Sequence, residues 1–273
     1  AEAPPAPIAG VEFTGEVVAA GDEVHGVAIG GRVMAMGSAA FAEYVAVDHR
    51  LVIPVPDALS DVQAACAPVA LMTMHDALVG RGRLRAGETV LIQGASSSVG
   101  LVGLQIARHL GAAVIVGTSG SADKRARLAD YGCTLALDGG AADLAQRVRD
   151  ATQGQGVNLI VDMIGGPALP ANVAAAALEA RIVLVGRLGG ARGELDIDAV
   201  AFKRLQLLGA TFRSRTREQI QAIAQAVRAD LNPLLAGGQL DLPVHCALPL
   251  ADAAQAYALM RSNEHFGKIV LRP

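Results

Sequence analysis

The residues able to do chemistry gather in three short stretches. In the first, Gly94-Ala95-Ser96-Ser97-Ser98-Val99-Gly100 follows the apolar run Thr89-Val90-Leu91-Ile92-Gln93 and opens a helical pattern through Leu101, Leu104, Ile106 and Leu110. Strand, tight turn and helix in that order form the context in which small residues hold a dinucleotide. Unpaired N–H groups at a helix starting near Ser98 suit a pyrophosphate. Gly94 allows the turn, and Gly100 lets helix and strand approach closely. The usual motif has a glycine where this chain has Ser97, and the hydroxyls of Ser96, Ser97 and Ser98 can add hydrogen bonds to phosphate. A strand-to-helix turn with no ligand fits the same spacing, so the motif needs support from the rest of the chain.

The second stretch, Gly117-Thr118-Ser119-Gly120-Ser121, ends the next predicted strand. An acid at this tip, about 20 residues past the fingerprint, would select NAD by binding its ribose hydroxyls. None is present. Asp123 falls inside the following helix, beside Lys124 and Arg125. Hydroxyls from Ser119 and Ser121 with a nearby Lys124 ammonium suit a 2′-phosphate instead, which predicts NADPH. Arg125 and Arg127 are expected to face solvent.

The third comprises Asp162-Met163-Ile164-Gly165-Gly166 and Val185-Gly186-Arg187-Leu188-Gly189-Gly190. Both place glycines at the C-terminal edge of a predicted sheet, where open α/β sheets bind ligands. Gly165 and Gly186 would admit the nicotinamide ribose close to the backbone, with ordinary turn glycine as the alternative. Asp162 reads as an anchor for its loop rather than a proton donor. Tyr44 is assigned no catalytic role.

The elements that position these stretches alternate strictly from Glu88 onward. Strands are predicted at Thr89–Gln93, Ala113–Gly117, Thr134–Leu137, Val157–Met163, Arg181–Gly186 and Leu205–Phe212. Helices fall between them at Val99–Leu110, Ala122–Tyr131, Ala141–Thr152 and Pro167–Leu178. Near-continuous apolar strands between amphipathic helices predict a parallel sheet covered on both faces.

Ahead of this, Val11–Val18, Gly31–Met36 and Phe41–Val47 read as strands, and Leu51–Pro56 as extended chain. Ser60 to Ala67, with a Ser60/Gln63 capping box, and Ala70 to Val79 read as helices. After the sheet come a helix over Arg217–Ala229, a break at Pro233–Gly238, a strand at Val244–Leu248, a helix over Leu250–Met260 and a closing strand at Gly267–Leu271. This tail is expected to complete the N-terminal β unit, leaving a cleft between two bodies.

Composition excludes several classes. The 273 residues carry three Tyr, five Phe and no Trp, so the core must be built from Ala, Val, Leu and Ile. No unbroken run of about 18 apolar residues suggests a membrane span, and no signal peptide is recognised before Val11. A net charge of −3 with scattered Lys and Arg gives no nucleic-acid face. Cys66, Cys133 and Cys246 form no CxxC pair, and the histidines are not clustered with them. No zinc site is predicted, and reduced thiols fit a cytoplasmic protein.

Taken in order, several segments resemble the zinc-independent quinone oxidoreductases of the medium-chain dehydrogenase/reductase superfamily. They are Gly10-Val11-Glu12-Phe13-Thr14-Gly15-Glu16-Val17, Phe41-Ala42-Glu43-Tyr44, Gly87-Glu88-Thr89-Val90-Leu91-Ile92, Thr118 to Lys124, and His265-Phe266-Gly267-Lys268-Ile269-Val270-Leu271. Phe212-Arg213-Ser214-Arg215 resembles the subgroup related to the p53-inducible quinone oxidoreductase. The resemblance covers nearly the whole chain. It implies an α/β protein, a Rossmann-type doubly wound sheet over residues 69–212 with a smaller GroES-like β-barrel domain formed by 1–68 and 213–273.

Carried over residue by residue, the resemblance implies Thr73 near the nicotinamide and Ser96 to Val99 at the pyrophosphate. Ser119 and Lys124 would lie at the 2′-phosphate, Gly165 and Gly186 along the ribose and nicotinamide, and Phe266, Gly267 and Lys268 at the cleft. The family has a further segment ahead of the equivalent of Val11, so the barrel is expected to be open if that segment is missing. Ser97 and Ser98 stand where relatives usually have glycines, and Gly139 where several have a tyrosine.

The implied activity is metal-free hydride transfer from NADPH to a quinone or similar α,β-unsaturated carbonyl compound, by a homodimer or homotetramer. The Gly31-Arg32-Val33-Met34-Ala35-Met36 region also resembles the enoyl-reductase domains of polyketide synthases, so a 2-enoyl thioester reductase is the enzyme alternative. A non-catalytic NADPH-binding scaffold or sensor is the alternative of another class.

Overall fold

A computed structural model describes residues 8–273. The described residues up to Met72 join Thr216–Pro273 in one unit, and Thr73–Arg215 form the other.

The first unit opens with β1 (Glu12–Glu16), paired antiparallel to β2 (Arg32–Met36), whose other edge carries the short β3 (Ile53–Pro54) antiparallel to it. Met34, Ala35 and Ile53 are fully buried. The short helix α1 (Asp61–Ala64) starts at the predicted capping box, with Ser60 and Gln63 each satisfying the other's backbone N–H. Helix α2 (Pro68–His75) runs into a π-helical segment, Asp76–Arg81.

The second unit is built on β4 (Thr89–Gln93), the strand predicted from its apolar run. Val90, Leu91 and Ile92 are wholly buried, each contributing roughly 1.5–3 kcal/mol. They sit between β5 (Val114–Thr118) and β7 (Val157–Asp162), both parallel to β4. Helix α3 (Ser98–His109) leads from β4 to β5; α4 (Ala122–Ala126) leads on to β6 (Leu135–Leu137), and α5 (Leu144–Ala151) to β7. Next come α6 (Leu169–Ala175), β8 (Ala176–Leu184), α7 (Ile197–Lys203) and β9 (Gln206–Gly209). The six strands lie in the order β6-β5-β4-β7-β8-β9. This is the doubly wound dinucleotide order, and its reversal falls between β4 and β7.

The chain then returns to the first unit with α8 (Arg217–Asp230), α9 (Asn232–Ala236), β10 (Val244–Pro249), α10 (Ala253–Ser262) and β11 (Lys268–Arg272). Gln221 of α8 donates to Asp48 at 3.0 Å. Glu12 accepts the Val69 N–H at 2.9 Å and pairs with Lys268, tying both ends of the unit together.

The structure corrects several expectations. Phe41–Val47 forms no strand. Alternation marks an inward face but supplies no partner; β2 is already flanked on both sides, and the Phe41 ring packs at 6.1 Å from Tyr257. The C-terminal tail joins the first unit but does not extend its antiparallel sheet, because β10 and β11 pair parallel in a sheet of their own.

The predicted break at Pro233 begins a short helix, since proline is tolerated in a first helical turn. The helix predicted to reach Leu178 stops at Ala175, where the Lys203 ammonium takes the carbonyls of Val173, Ala174 and Ala176 at 2.8–3.0 Å. Helix α7 has no counterpart in the sequence reading, although Asp196 caps it by accepting the Ala199 N–H. No helix among the described residues is long and apolar enough to cross a membrane.

Candidate functional site

The C-terminal ends of β4, β5, β7 and β8 bring the sequence motifs of the second unit together. Gly94 turns the chain at φ +73°, and a Cβ at Gly100 would lie 2.6 Å from the Ala95 Cα. Turn and helix therefore touch as the two glycines require. Ser97 is the N-cap of α3. Its hydroxyl accepts from the Gly100 N–H at 3.1 Å and donates to the Gly94 carbonyl at 2.9 Å. Both interactions hold the turn and make Ser97 the helix cap. The N–H groups of Ser98 and Val99 lie in the first turn, where an α-helix supplies no acceptor of its own.

At the β5 tip, the Ser96 hydroxyl donates to that of Ser119 at 2.9 Å, linking the turn to the neighbouring strand. Ser121 caps α4 by accepting the Lys124 N–H. Burial lowers the Lys124 pKa below the ordinary lysine value. Arg125 corrects the solvent-facing expectation, because its guanidinium folds back to donate to the Ser119 carbonyl at 2.7 Å and to Asp138 at 3.1 Å. No acid stands within Gly117–Ser121.

Across the sheet, Gly165 takes φ +88°. A Cβ there would meet the Gly190 carbonyl at 2.6 Å, and one at Gly186 would meet the Met163 carbonyl at 2.3 Å. Only glycine fits this close backbone crossing. Asp162 anchors it, accepting the N–H groups of Ile164 at 2.8 Å and Gly165 at 2.9 Å. Burial raises the Asp162 pKa, opposed by hydrogen bonds from Gly165, Ile164 and Asn172.

Thr73 lies on α2 and is partly buried. Phe266, Gly267 and Lys268 belong to the first unit. The Phe266 N–H donates to His245 Nδ1 at 3.5 Å, Gly267 takes φ +90° against the Pro243 carbonyl, and Lys268 is paired with Glu12. Tyr44 is exposed. Among the described residues no three His, Cys, Asp or Glu side chains cluster as metal ligands.

Four contributors at the sheet edge lie beyond the sequence reading. Gln93, Thr118 and Asn172 join Asp162 in one hydrogen-bonded chain, each almost wholly shielded from solvent. Polar residues closing otherwise apolar strands at 93 and 118 are the available signal. Arg125 is the fourth.

A glycine turn with free helix-start N–H groups, an acid-free hydroxyl-lined strand tip and a second glycine crossing at the switch point together define a dinucleotide-binding oxidoreductase fold. The family described as "Zinc-binding dehydrogenase" matches residues 98–229, and "Alcohol dehydrogenase GroES-like domain" matches residues 1–57. The chain belongs to the medium-chain dehydrogenase/reductase superfamily. It is 35% identical, over 97% of its length, to a phenolphthiocerol/phthiocerol polyketide synthase of Mycobacterium tuberculosis, and spans 12% of that protein. Mycobacterial Rv1454c, solved in complex with NADPH, is similar at TM-score 0.89 and 26% identity, over 98% of this chain and 83% of that one. A quinone oxidoreductase from Pseudomonas syringae gives TM-score 0.86 and 26% identity, over 97% and 82%.

Proposed function

We propose that this chain binds NADPH and reduces the carbon–carbon double bond of a 2-enoyl thioester. When bound, NADPH supplies a hydride from C4 of its nicotinamide. The second unit fits that cofactor. The Ser98 and Val99 N–H groups would hold the pyrophosphate, and Ser119, Ser121 and Lys124, with Arg125 beside them, the 2′-phosphate. The glycine crossing at Gly165 and Gly186 would leave room for the nicotinamide ribose. The family resemblance implies Thr73 near the nicotinamide end and Phe266, Gly267 and Lys268 at the cleft.

The observation that carries the thioester over other acceptors is the 35% identity to a polyketide synthase along almost the whole chain. Quinone reduction is the second reading, favoured by the likeness to the Pseudomonas enzyme. The two differ in proton demand: a quinone can draw its protons from solvent, whereas an enoyl thioester needs one delivered to its α-carbon.

Steady-state assays with NADPH separate them. The expected result is crotonyl pantetheine thioester turned over with kcat/KM at least tenfold above 1,4-benzoquinone, a margin of about 1.4 kcal/mol. The reverse order would support the quinone reading. NADPH binding with turnover of neither would leave a cofactor-binding scaffold.

A further inference from the structure

Gln93 and Asp162 are register partners on β4 and β7, the strands between which the sheet order reverses. Apolar residues would continue these buried strand ends; polar ones stand there instead. Thr118 on β5, Gln93, Asn172 on α6 and Asp162 are exposed by 2%, 1%, 0% and 0%. They form an unbroken chain. The Gly94 N–H donates to Thr118 Oγ1 at 3.0 Å, Thr118 to Gln93 Oε1 at 2.7 Å, Gln93 Nε2 to Asn172 Oδ1 at 2.8 Å, and Asn172 Nδ2 to Asp162 Oδ2 at 3.0 Å. The other Asp162 oxygen takes the Ile164 and Gly165 N–H groups.

Both Asp162 oxygens accept N–H groups, so its position fixes the direction of every bond in the chain. It turns the Asn172 amide, which turns that of Gln93, which aims the Thr118 hydroxyl. The surroundings keep the chain narrow: a Cβ at Gly139 would stand 3.3 Å from Thr118 Oγ1. One end of the chain is the pyrophosphate turn and the other the glycine crossing, two places that must hold a fixed spacing if one cofactor occupies both. Buried polar chains of this kind give no clear stability advantage over apolar packing. Geometry is the function left for it.

Resting on the NADPH-dependent reading above, we propose that Gln93 and Asn172 are positioning residues. They tie the turn at Gly94 to the crossing at Gly165 through Asp162, and so set the angle of the nicotinamide rather than the affinity for NADPH.

Asn172→Asp is the test, with the swap Asp162→Asn/Asn172→Asp beside it. The single variant sets two carboxylates against each other. The swap returns an acceptor to every donor with the charge moved by one residue. The expected result is a kcat loss of about tenfold or more in the single variant, since small misplacements of a reacting group are costly. NADPH affinity should change by less than about threefold, the isotope effect with 4-deuterated NADPH should rise, and the swap should restore kcat.

If Asn172→Asp does not fold, Gln93→Glu carries the same prediction, because it keeps the bond from Thr118 and loses the donor to Asn172. Unchanged kcat and isotope effect in a folded single variant, or a folded swap no better than the single, overturns the proposal alone. A wild-type chain that does not bind NADPH overturns the functional reading and this proposal with it.

Discussion

The hydroxyls of Ser96 and Ser119 meet at 2.9 Å, joining the turn after β4 to the tip of β5. Together with Ser121 and the half-buried Arg125, they make that tip neutral to cationic on the side where the sequence has no acid. Ser119→Asp should reverse its preference. A carboxylate there repels a 2′-phosphate and accepts from ribose hydroxyls, so NADPH binding should weaken by about 2 kcal/mol while NADH binding holds or improves. Nicotinamide fluorescence titration reads both. Equal losses for the two nucleotides would show that Ser119 is not at the 2′ position.

Asp76 and Arg215 form an ion pair at 2.6 Å, with side chains only 8% and 11% exposed. Arg215 also donates to the Thr211 carbonyl and lies 5.8 Å from the Phe212 ring centroid. Removing one member leaves the other charge buried, which costs about 3–5 kcal/mol. Asp76→Ala should lower urea stability by that order. A loss within experimental error would mean that water reaches the pair.

Burial pushes the Cys66 thiol up to about 12, with Glu12 raising it and Lys268 opposing. The sign follows from linkage: the neutral thiol's contribution to stability is constant below the unfolded pKa of about 8.5 and is lost as pH rises from there toward the folded value. Native alkylation at pH 8 should therefore modify the half-buried Cys246 well before Cys66 or Cys133, as mass spectrometry would show. Early labelling of Cys66 would contradict its burial.

Strand β9 ends the six-stranded sheet, and α7 just before it exposes Ile197 and Phe202. An unpaired strand edge and exposed apolar side chains each favour association with a second copy. Where copies of the chain associate through this face, Phe202→Asp should shift them toward monomer in light scattering. An unchanged oligomeric state would remove this face from the interface.

Periodicity and turn chemistry make the second unit legible. The bounds of β4 fall where its apolar run begins and ends, and Gly94, Ser97 and Gly100 act locally, within a few residues of chain. What the sequence does not display is partnership. Phe41–Val47 alternates but finds no strand to pair with, and α7 is short enough for its apolar stripe to pass unnoticed. The chain from Thr118 to Asp162 joins residues far apart in sequence that only the parallel register brings together. Arg125 escapes the sequence for the same reason: its acceptors, the Ser119 carbonyl and Asp138, sit on neighbouring loops of the fold rather than on its own helix.

The most direct measurement is the affinity of the wild-type chain and Lys124→Ala for NADPH and NADH, titrated side by side. Wild type should hold the phosphorylated nucleotide at least tenfold tighter, and the variant should lose about 2 kcal/mol for NADPH and almost nothing for NADH. Equal affinity of the wild type for both nucleotides, or no binding of either, would contradict the account.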